Sequence, residues 1–457
     1  MHKTIYFLEP KSPGLHVFSA YHIPRLGTIL LATILKGMGY NTRVFIEDAA
    51  TPDWNAFEHA QIVGITTITS TAPRAYEFAD KFRAQGKTVI LGGPHPTFMP
   101  DEALEHADFV VRGEGEDTLP ELIEALEGKG AFEDIKGLSY TRPDGNVHNP
   151  ERGLIEDLGK YPAPDFSLVH GWTDRSIVPI ATSRGCPFDC KFCSVIPMFG
   201  RKYRFQSIER VMEEIKSAGK KPFVFFIDDN FTADKKRTKE LLKRIIEEGV
   251  RLEWGAQVRT DAAADPELLS LMKKSGCKTV YVGFESINPG TLKLYNKKQG
   301  LDDIVESIKR FKGAGIRIHG MFVFGSDTDG VDTPRETSRF ARRMGIESVQ
   351  FLILTPLPGT QVYREFKEQG RLLHSDWSRY DTLHTVYMPA LMTPSELQRA
   401  TFKAMAGFYS WRTIIKHLAK FNFYCGMLSY YGKRTVRKAC EEGERYLKEI
   451  GNPPHAV

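Results

Sequence analysis

Along the first 125 residues the apolar positions alternate between two periods. Residues 4–8 and 42–46 are short apolar runs of strand length, whereas 26–38 carries its apolar residues three and four apart, the helical spacing. Residues 62–69 are apolar and β-branched without a break, as a strand covered on both faces should be. The helical period returns over 72–85 and stops before Gly86. Residues 88–91 run as a strand into Gly92 and Gly93, and 108–111 form another, followed by Gly113-Glu-Gly-Glu116 and a helix over 118–126. This alternation predicts an α/β unit, an open parallel sheet of Rossmann type with helices on both faces. Its ligands belong at the carboxyl ends of the strands, an edge made by 9–26, 66–71, 92–97 and 113–117.

Residues 137–175 are rich in Pro, Gly, Asp and Asn and read as a hairpin and linker. A second alternating series follows. Strands are expected at 177–181, 223–227, 252–257, 279–283, 318–324 and 348–354, with helices at 207–218, 235–248, 265–275, 301–314 and 333–343. Six β/α units are two short of a closed eight-unit barrel, so a partial barrel with an open side is expected. The tail reads as helical. The expected domains are 1–136, the linker 137–175, the partial barrel 176–390 and a helical region 391–457.

Composition narrows the partners. The chain has 457 residues, 41% hydrophobic and 26% charged, which describes a soluble globular protein. The net charge of +5 sits in the tail, where residues 391–457 hold 11 Lys and Arg against 5 Asp and Glu, beside ten aromatic residues. No general nucleic-acid footprint covers the chain. The N-terminus does not read as a signal peptide, and the longest strongly apolar stretch near it, 29–35, is far too short to span a bilayer. A cytoplasmic location is expected, where thiols stay reduced.

The six cysteines are unevenly placed, with none in the first 185 residues and three within eight. Cys186-Pro-Phe-Asp-Cys190-Lys-Phe-Cys193 follows the first strand of the second series, at the end where a barrel keeps its chemistry. Three clustered thiolates suit one metal centre; a structural zinc would want a fourth ligand. Cys277, Cys425 and Cys440 read as bystanders.

The cysteine spacing, with Phe192 between the last two ligands, resembles the signature of radical S-adenosylmethionine (radical SAM) enzymes. The resemblance implies that Cys186, Cys190 and Cys193 hold three irons of a 4Fe–4S cluster. SAM would chelate the fourth iron, and its reductive cleavage would give a radical that abstracts hydrogen from an unactivated carbon. Matching SAM-cradling positions are Asp228, Asp229 and Asn230 after the second strand, Arg259 after the third and Glu285 after the fourth. Gly320 and Gly325 match the fifth-strand glycine motif. A guanidinium at Arg259 suits a carboxylate.

The first domain resembles the cobalamin-binding domain that precedes many radical SAM barrels. The resemblance assigns Gly92, Gly93, His95, Glu114 and Gly115 to the cofactor, and Thr66, Thr67, Thr69 and Ser70 offer hydroxyls to corrin amides. The Asp-x-His-x-x-Gly motif that ligates cobalt in methionine-synthase-like domains is missing. Tyr21 and His22 lie on candidate loops. Asp376-Trp-x-x-Tyr380-Asp-x-x-His384, with Met392-Thr-Pro-Ser-Glu-Leu397, resembles the subgroup of hopanoid methylases and the anaerobic cyclase of chlorophyll synthesis. Together these imply a cobalamin-dependent methyltransferase acting on an unactivated carbon of a hydrophobic lipid, isoprenoid or tetrapyrrole-like substrate. One SAM would methylate the cobalamin and a second would yield the radical. The alternatives are another radical reaction, such as cyclisation, oxidation or C–C coupling, and a non-catalytic metal-binding module. A reductant such as flavodoxin or ferredoxin is implied, and the basic aromatic segment 402–431 suggests contact with a membrane surface.

Overall fold

The computed structural model describes residues 3–12, 14, 23–173, 177–219, 223–419 and 421–451, so the expectation at Tyr21 and His22 lies outside the described residues. Two compact units emerge. The first comprises the described residues before position 14, those from 23 to 185, and Ser194–Glu214. The second comprises Gly14, Cys186–Cys193 and the described residues from Ile215 on.

The first unit is built on a seven-stranded sheet. Its strands are β1 (Thr4–Glu9), β2 (Asn41–Ile46), β3 (Ile62–Thr66), β4 (Thr88–Gly92), β5 (Phe109–Val111), β6 (Leu138–Arg142) and β7 (Gly145–His148), in the order β2-β1-β3-β4-β5-β6-β7. The first five pair in parallel, and β6 and β7 add an antiparallel edge. Helices Leu26–Gly37, Ala72–Ala84 and Gly115–Ala125 supply the covering layers. One core gathers Ile5, Phe7, Val44, Ile62 and Ile90 from the strands with Ile29, Leu35 and Leu122 from the helices. Gly64 is needed there, because a Cβ would stand 2.7 Å from the Phe7 ring.

Three sequence expectations are revised. The strand expected over 62–69 stops at Thr66. The Thr67 and Thr71 hydroxyls, 2.7 Å apart, close a turn instead, and hydroxyl side chains compete with the ladder in this way. The helix expected at 118 begins at Gly115. The hairpin expected at the start of 137–175 forms, but as part of the first sheet: Tyr140 pairs with Phe109, Leu138, Ser139 and Tyr140 are buried, and the exposed edge of β5 is thereby satisfied.

All six strands expected in the second series form. They are β8 (Val178–Ile180), β11 (Phe223–Phe226), β12 (Glu253–Val258), β13 (Cys277–Glu285), β14 (Arg317–Phe324) and β15 (Ser348–Ile353); a short antiparallel pair, β9 (Ser183–Arg184) with β10 (Arg204–Phe205), was not anticipated. In the second unit β11 to β15 lie in parallel, in sequence order. Helices Lys235–Glu247, Pro266–Lys274, Leu301–Gly313 and Thr333–Met344 follow the strands. Asp234 and Asp265 cap two of them, each accepting a backbone N–H at 3.0 Å.

The tail is helical, as expected: Pro394–Phe408, Trp411–Ala419 and Phe423–Ile450. The first opens on a capping box between Thr393 and Glu396. Tyr409 ties this layer to β15, its hydroxyl accepting from Val349 N at 3.0 Å and donating to Val349 O at 2.7 Å. The Asp376–His384 segment braces the last helix. His384 pairs with Asp381 at 2.9 Å, His374 meets the Tyr446 hydroxyl at 2.7 Å, and that hydroxyl donates to Thr385 O. Among the described residues no helix is long and apolar enough to cross a membrane.

Candidate active site

The cysteine loop is held from three directions within the second unit. Cys193 N donates to Cys190 O at 3.0 Å and tightens the loop itself. Phe192 meets the fully buried Tyr295 ring edge-on, with centroids 4.9 Å apart. The Asn296 side chain donates to Asp189 O at 3.1 Å. Asn296 and Lys298 have left-handed backbone (φ 55° and 45°), so the segment facing the loop is sharply bent.

Two cations belong to the same neighbourhood. The Arg259 guanidinium lies 3.8 Å above the Phe188 ring and donates to Lys297 O at 2.7 Å. Lys297 donates to Glu285 at 2.7 Å, and both side chains are nearly buried. Burial pushes the Cys186 and Cys190 thiols above their usual range. Arg259 opposes the rise at both, and Lys297 opposes it at Cys190. Asp229 is pushed up to about 7 by burial and by Asp228 beside it. Asp228 and Asn230 are buried at the end of β11.

Glu285 sits at a register shift in β13 with φ 61°. Gly283 permits this, because a Cβ there would come 2.5 Å from the Glu285 carboxylate. Gly320 and Gly325 have packing reasons of their own. A Cβ at 320 would press on Phe284 and Phe322, and one at 325 would collide with Tyr387 and Leu397.

In the first unit the residues expected around a corrin divide. Thr67 and Thr71 are spent on each other. Thr66, Thr69 and Ser70, which follow or end β3, form no side-chain hydrogen bond among the described residues; Thr69 and Ser70 are buried. Gly93 (φ 102°) is required by close approach, since a Cβ would stand 2.6 Å from Thr67 O. Gly92 meets only Val111 O, at 3.7 Å, and Gly115 packs on Val111 and Leu31. His95 is wholly buried and faces Glu102 at 3.3 Å.

Glu114 is a structural hub and not a surface group of the sheet edge. It takes Arg184 at 2.8 Å, Arg204 at 2.6 Å and Ile155 N at 2.9 Å, while Glu116 takes Arg184 at 2.5 Å. Burial works to raise the Glu114 carboxyl, but the two guanidinium partners outweigh it and hold it below the usual range. Gly113-Glu-Gly-Glu116 therefore anchors Arg184, two residues ahead of Cys186. Gly185 between them has φ 91°, and a Cβ would stand 2.5 Å from Lys202 O.

Sequence reasoning missed Lys297, Asn296, Tyr295 and Phe188, and the pairing role of Arg184 and Arg204. Only the left-handed Asn296 and the alternation of Glu with Gly at 113–116 carried a local signal. Among the described residues no three His, Cys, Asp or Glu side chains converge on a single ion. Three thiols on one eight-residue loop, flanked by Arg259 and Lys297, are nonetheless the donor set and counter-charge that an anionic iron–sulfur cluster requires. Cys277 and Cys425 are buried, with thiols pushed up by burial.

A sheet whose carboxyl edge presents unspent hydroxyls, followed by β/α units carrying a three-cysteine loop, defines a two-cofactor α/β protein. The radical SAM superfamily matches residues 180–341 and the B12 binding domain matches residues 19–123. An uncharacterized methyltransferase of Pyrococcus horikoshii is 35% identical over 362 residues, covering 76% of this chain and 78% of the relative. Bacteriochlorophyllide d C-12(1)-methyltransferase of Chlorobaculum tepidum is 32% identical, covering 90% and 88%. An anaerobic magnesium-protoporphyrin IX monomethyl ester cyclase of Rubrivivax gelatinosus is 29% identical, covering 86% and 75%. Among solved structures, the cobalamin-dependent radical SAM enzyme OxsB with aqua-cobalamin bound superposes with a TM-score of 0.71 at 16% identity, covering 98% of this chain and 75% of that one. TsrM from Kitasatospora setae, with cobalamin and a 4Fe–4S cluster bound, gives 0.70 at 17% identity, covering 97% and 100%. The chain belongs to the cobalamin-binding radical SAM family.

Proposed function

We propose that this protein transfers a methyl group from SAM to an unactivated carbon of a large, mainly apolar substrate by radical chemistry. The observation that carries this is the pairing, in one chain, of the cation-flanked cysteine loop with a cobalamin-type sheet edge whose hydroxyls are unspent. Relatives named as methyltransferases support it. When bound, the cluster supplies the electron that cleaves SAM to a carbon radical, and the corrinoid supplies a carrier for the methyl group.

The chain's own residues have definite tasks in this reading. Cys186, Cys190 and Cys193 hold three irons. Arg259 and Lys297 offset the cluster's negative charge and leave guanidinium and ammonium donors beside the loop for a carboxylate. Asp228, Asp229, Asn230 and Glu285 give the polar wall that the SAM amino and ribose groups need. Gly93 lets β3 and β4 close, and Thr66, Thr69 and Ser70 donate to corrin amides. A small acidic electron carrier, flavodoxin or ferredoxin, is the reductant. The basic aromatic hairpin of the tail faces a membrane surface, which suits a greasy substrate.

Anaerobic reconstitution tests the cofactor half. Wild-type protein should carry four irons per chain and retain hydroxocobalamin through gel filtration. Cys186→Ala, Cys190→Ala and Cys193→Ala should lose the cluster and keep the corrinoid. A variant with an intact cluster and full SAM cleavage would sink the assignment. A second reading, ring closure without methyl transfer, is favoured by the similarity to the anaerobic cyclases; it consumes SAM only as a radical source.

A further inference from the structure

The hairpin of Trp411–Ala419 and Phe423–Ile450 leaves much apolar side chain in water. Trp411, Ile415 and Leu418 recur at helical spacing on the first helix, and Phe423, Met427 and Tyr430 on the second; all six are exposed. Phe421, at the turn, is 82% exposed in a left-handed conformation (φ 53°) that a bulky residue rarely adopts. Trp411 and Tyr430 stand 6.2 Å apart, so the two stripes form one patch. Cations lie along it, Lys433 over Trp411 at 5.6 Å and Arg317 over Tyr424 at 4.2 Å. From residue 397 to 440 the chain has no Asp or Glu and nine Lys and Arg.

The neighbouring face of the first helix lines a cleft of about 920 Å³. Its lining includes Lys312 ahead of β14, Gly345 to Glu347 ahead of β15, and Ile287 just after β13. Lys312, Arg339, Arg342, Arg343, Arg412 and Lys416 line it, against Glu336 and Glu347. Glu347 is already engaged, accepting from Ile318 N at 2.9 Å. Among the described residues Arg339, Arg343, Arg412 and Lys416 form no ion pair. Such uncompensated charge repels itself and attracts anions. It would also oppose a second copy of the same basic surface, whereas an anionic bilayer meets both features at once: apolar side chains enter the headgroup boundary and cations meet phosphate.

We propose that the hairpin docks on an anionic phospholipid surface, with the apolar patch at the acyl boundary and the adjacent cleft holding a phosphodiester headgroup. This deepens the membrane-contact reading and rests on it. The test uses the full chain with phosphatidylcholine vesicles, with and without phosphatidylglycerol. Co-sedimentation should be about tenfold tighter on the anionic vesicles and should weaken with salt. Phe421→Ser with Met427→Ser should reduce binding to both vesicle types. Arg412→Gln with Lys416→Gln should remove most of the preference for the anionic lipid. All four positions are exposed, and circular dichroism serves as the check that the variants fold. Failure to bind any vesicle overturns the membrane reading and the headgroup site together. Equal binding to both vesicles, unchanged by Arg412→Gln with Lys416→Gln, overturns the headgroup site and leaves membrane contact standing. Dimerisation abolished by Phe421→Ser, without vesicle binding, assigns the patch to a second copy and overturns the proposal.

Discussion

Glu114 concentrates several hydrogen bonds on one carboxylate that is almost out of water. Glu114→Ala leaves Arg184 and Arg204 without their shared partner, and Arg204 is itself buried. Breaking a buried pair from one side costs about 3–5 kcal/mol, so a marked fall in thermal midpoint is expected by calorimetry. The pH dependence has a definite sign. The folded-state value of Glu114 lies below the ordinary 4.5, so its contribution is present above that pH and is lost as pH falls through the lowered folded value. The gap in midpoint between wild type and Glu114→Gln should therefore be widest near neutral pH and shrink in acid; a constant gap would contradict the account. Lys297→Met poses the same question beside the cysteines, since it leaves Glu285 buried and unpaired. We expect it to destabilise by a similar amount, whereas Lys297→Met with Glu285→Gln recovers much of the loss.

At the scale of elements, Gly185 controls how the chain enters the cysteine loop. Gly185→Ala meets both a left-handed backbone and three carbonyls within about van der Waals reach. Iron content after reconstitution should fall together with stability. Gly313→Ala is the control: it ends a helix, nothing lies within 4 Å of its Cβ position, and it should stabilise by about 0.5–1 kcal/mol. The strands were legible because buried parallel strands are largely apolar runs: β11 (FVFF) is wholly so, and β12 to β15 keep most of their residues apolar around a few polar ones. The hairpin Leu138–His148 was legible from its turn residues, but its place at the edge of the first sheet was not, because turn residues look the same in a linker as at a sheet edge. The cysteine ligands were legible because all three share one loop. Of their surroundings only Arg259 was legible, through the family resemblance; Asn296 and Lys297 follow the short helix Pro289–Leu294, more than 100 residues from the cysteines, and spacing carries no signal at that range. Glu114 was legible as a motif but not as an anchor, since its partners Arg184 and Arg204 lie 70 and 90 residues away.

At the scale of the whole molecule, two units of different topology answer two chemical needs. The first offers unspent hydroxyls along a sheet edge, and the second surrounds three thiols with cations. His95, expected as a cofactor contact, is buried and faces Glu102 at 3.3 Å. The central claim is that both units act in one reaction, with SAM as radical source and as methyl donor. The most direct measurement incubates the anaerobically reconstituted holoenzyme, a reductant and candidate tetrapyrroles or polyisoprenoids with SAM bearing a deuterated methyl group, followed by mass spectrometry of the product and of the spent SAM. The account expects the intact labelled methyl group in the product, with 5′-deoxyadenosine and S-adenosylhomocysteine formed together. Turnover of substrate to an unlabelled product, with 5′-deoxyadenosine and no S-adenosylhomocysteine, would contradict it.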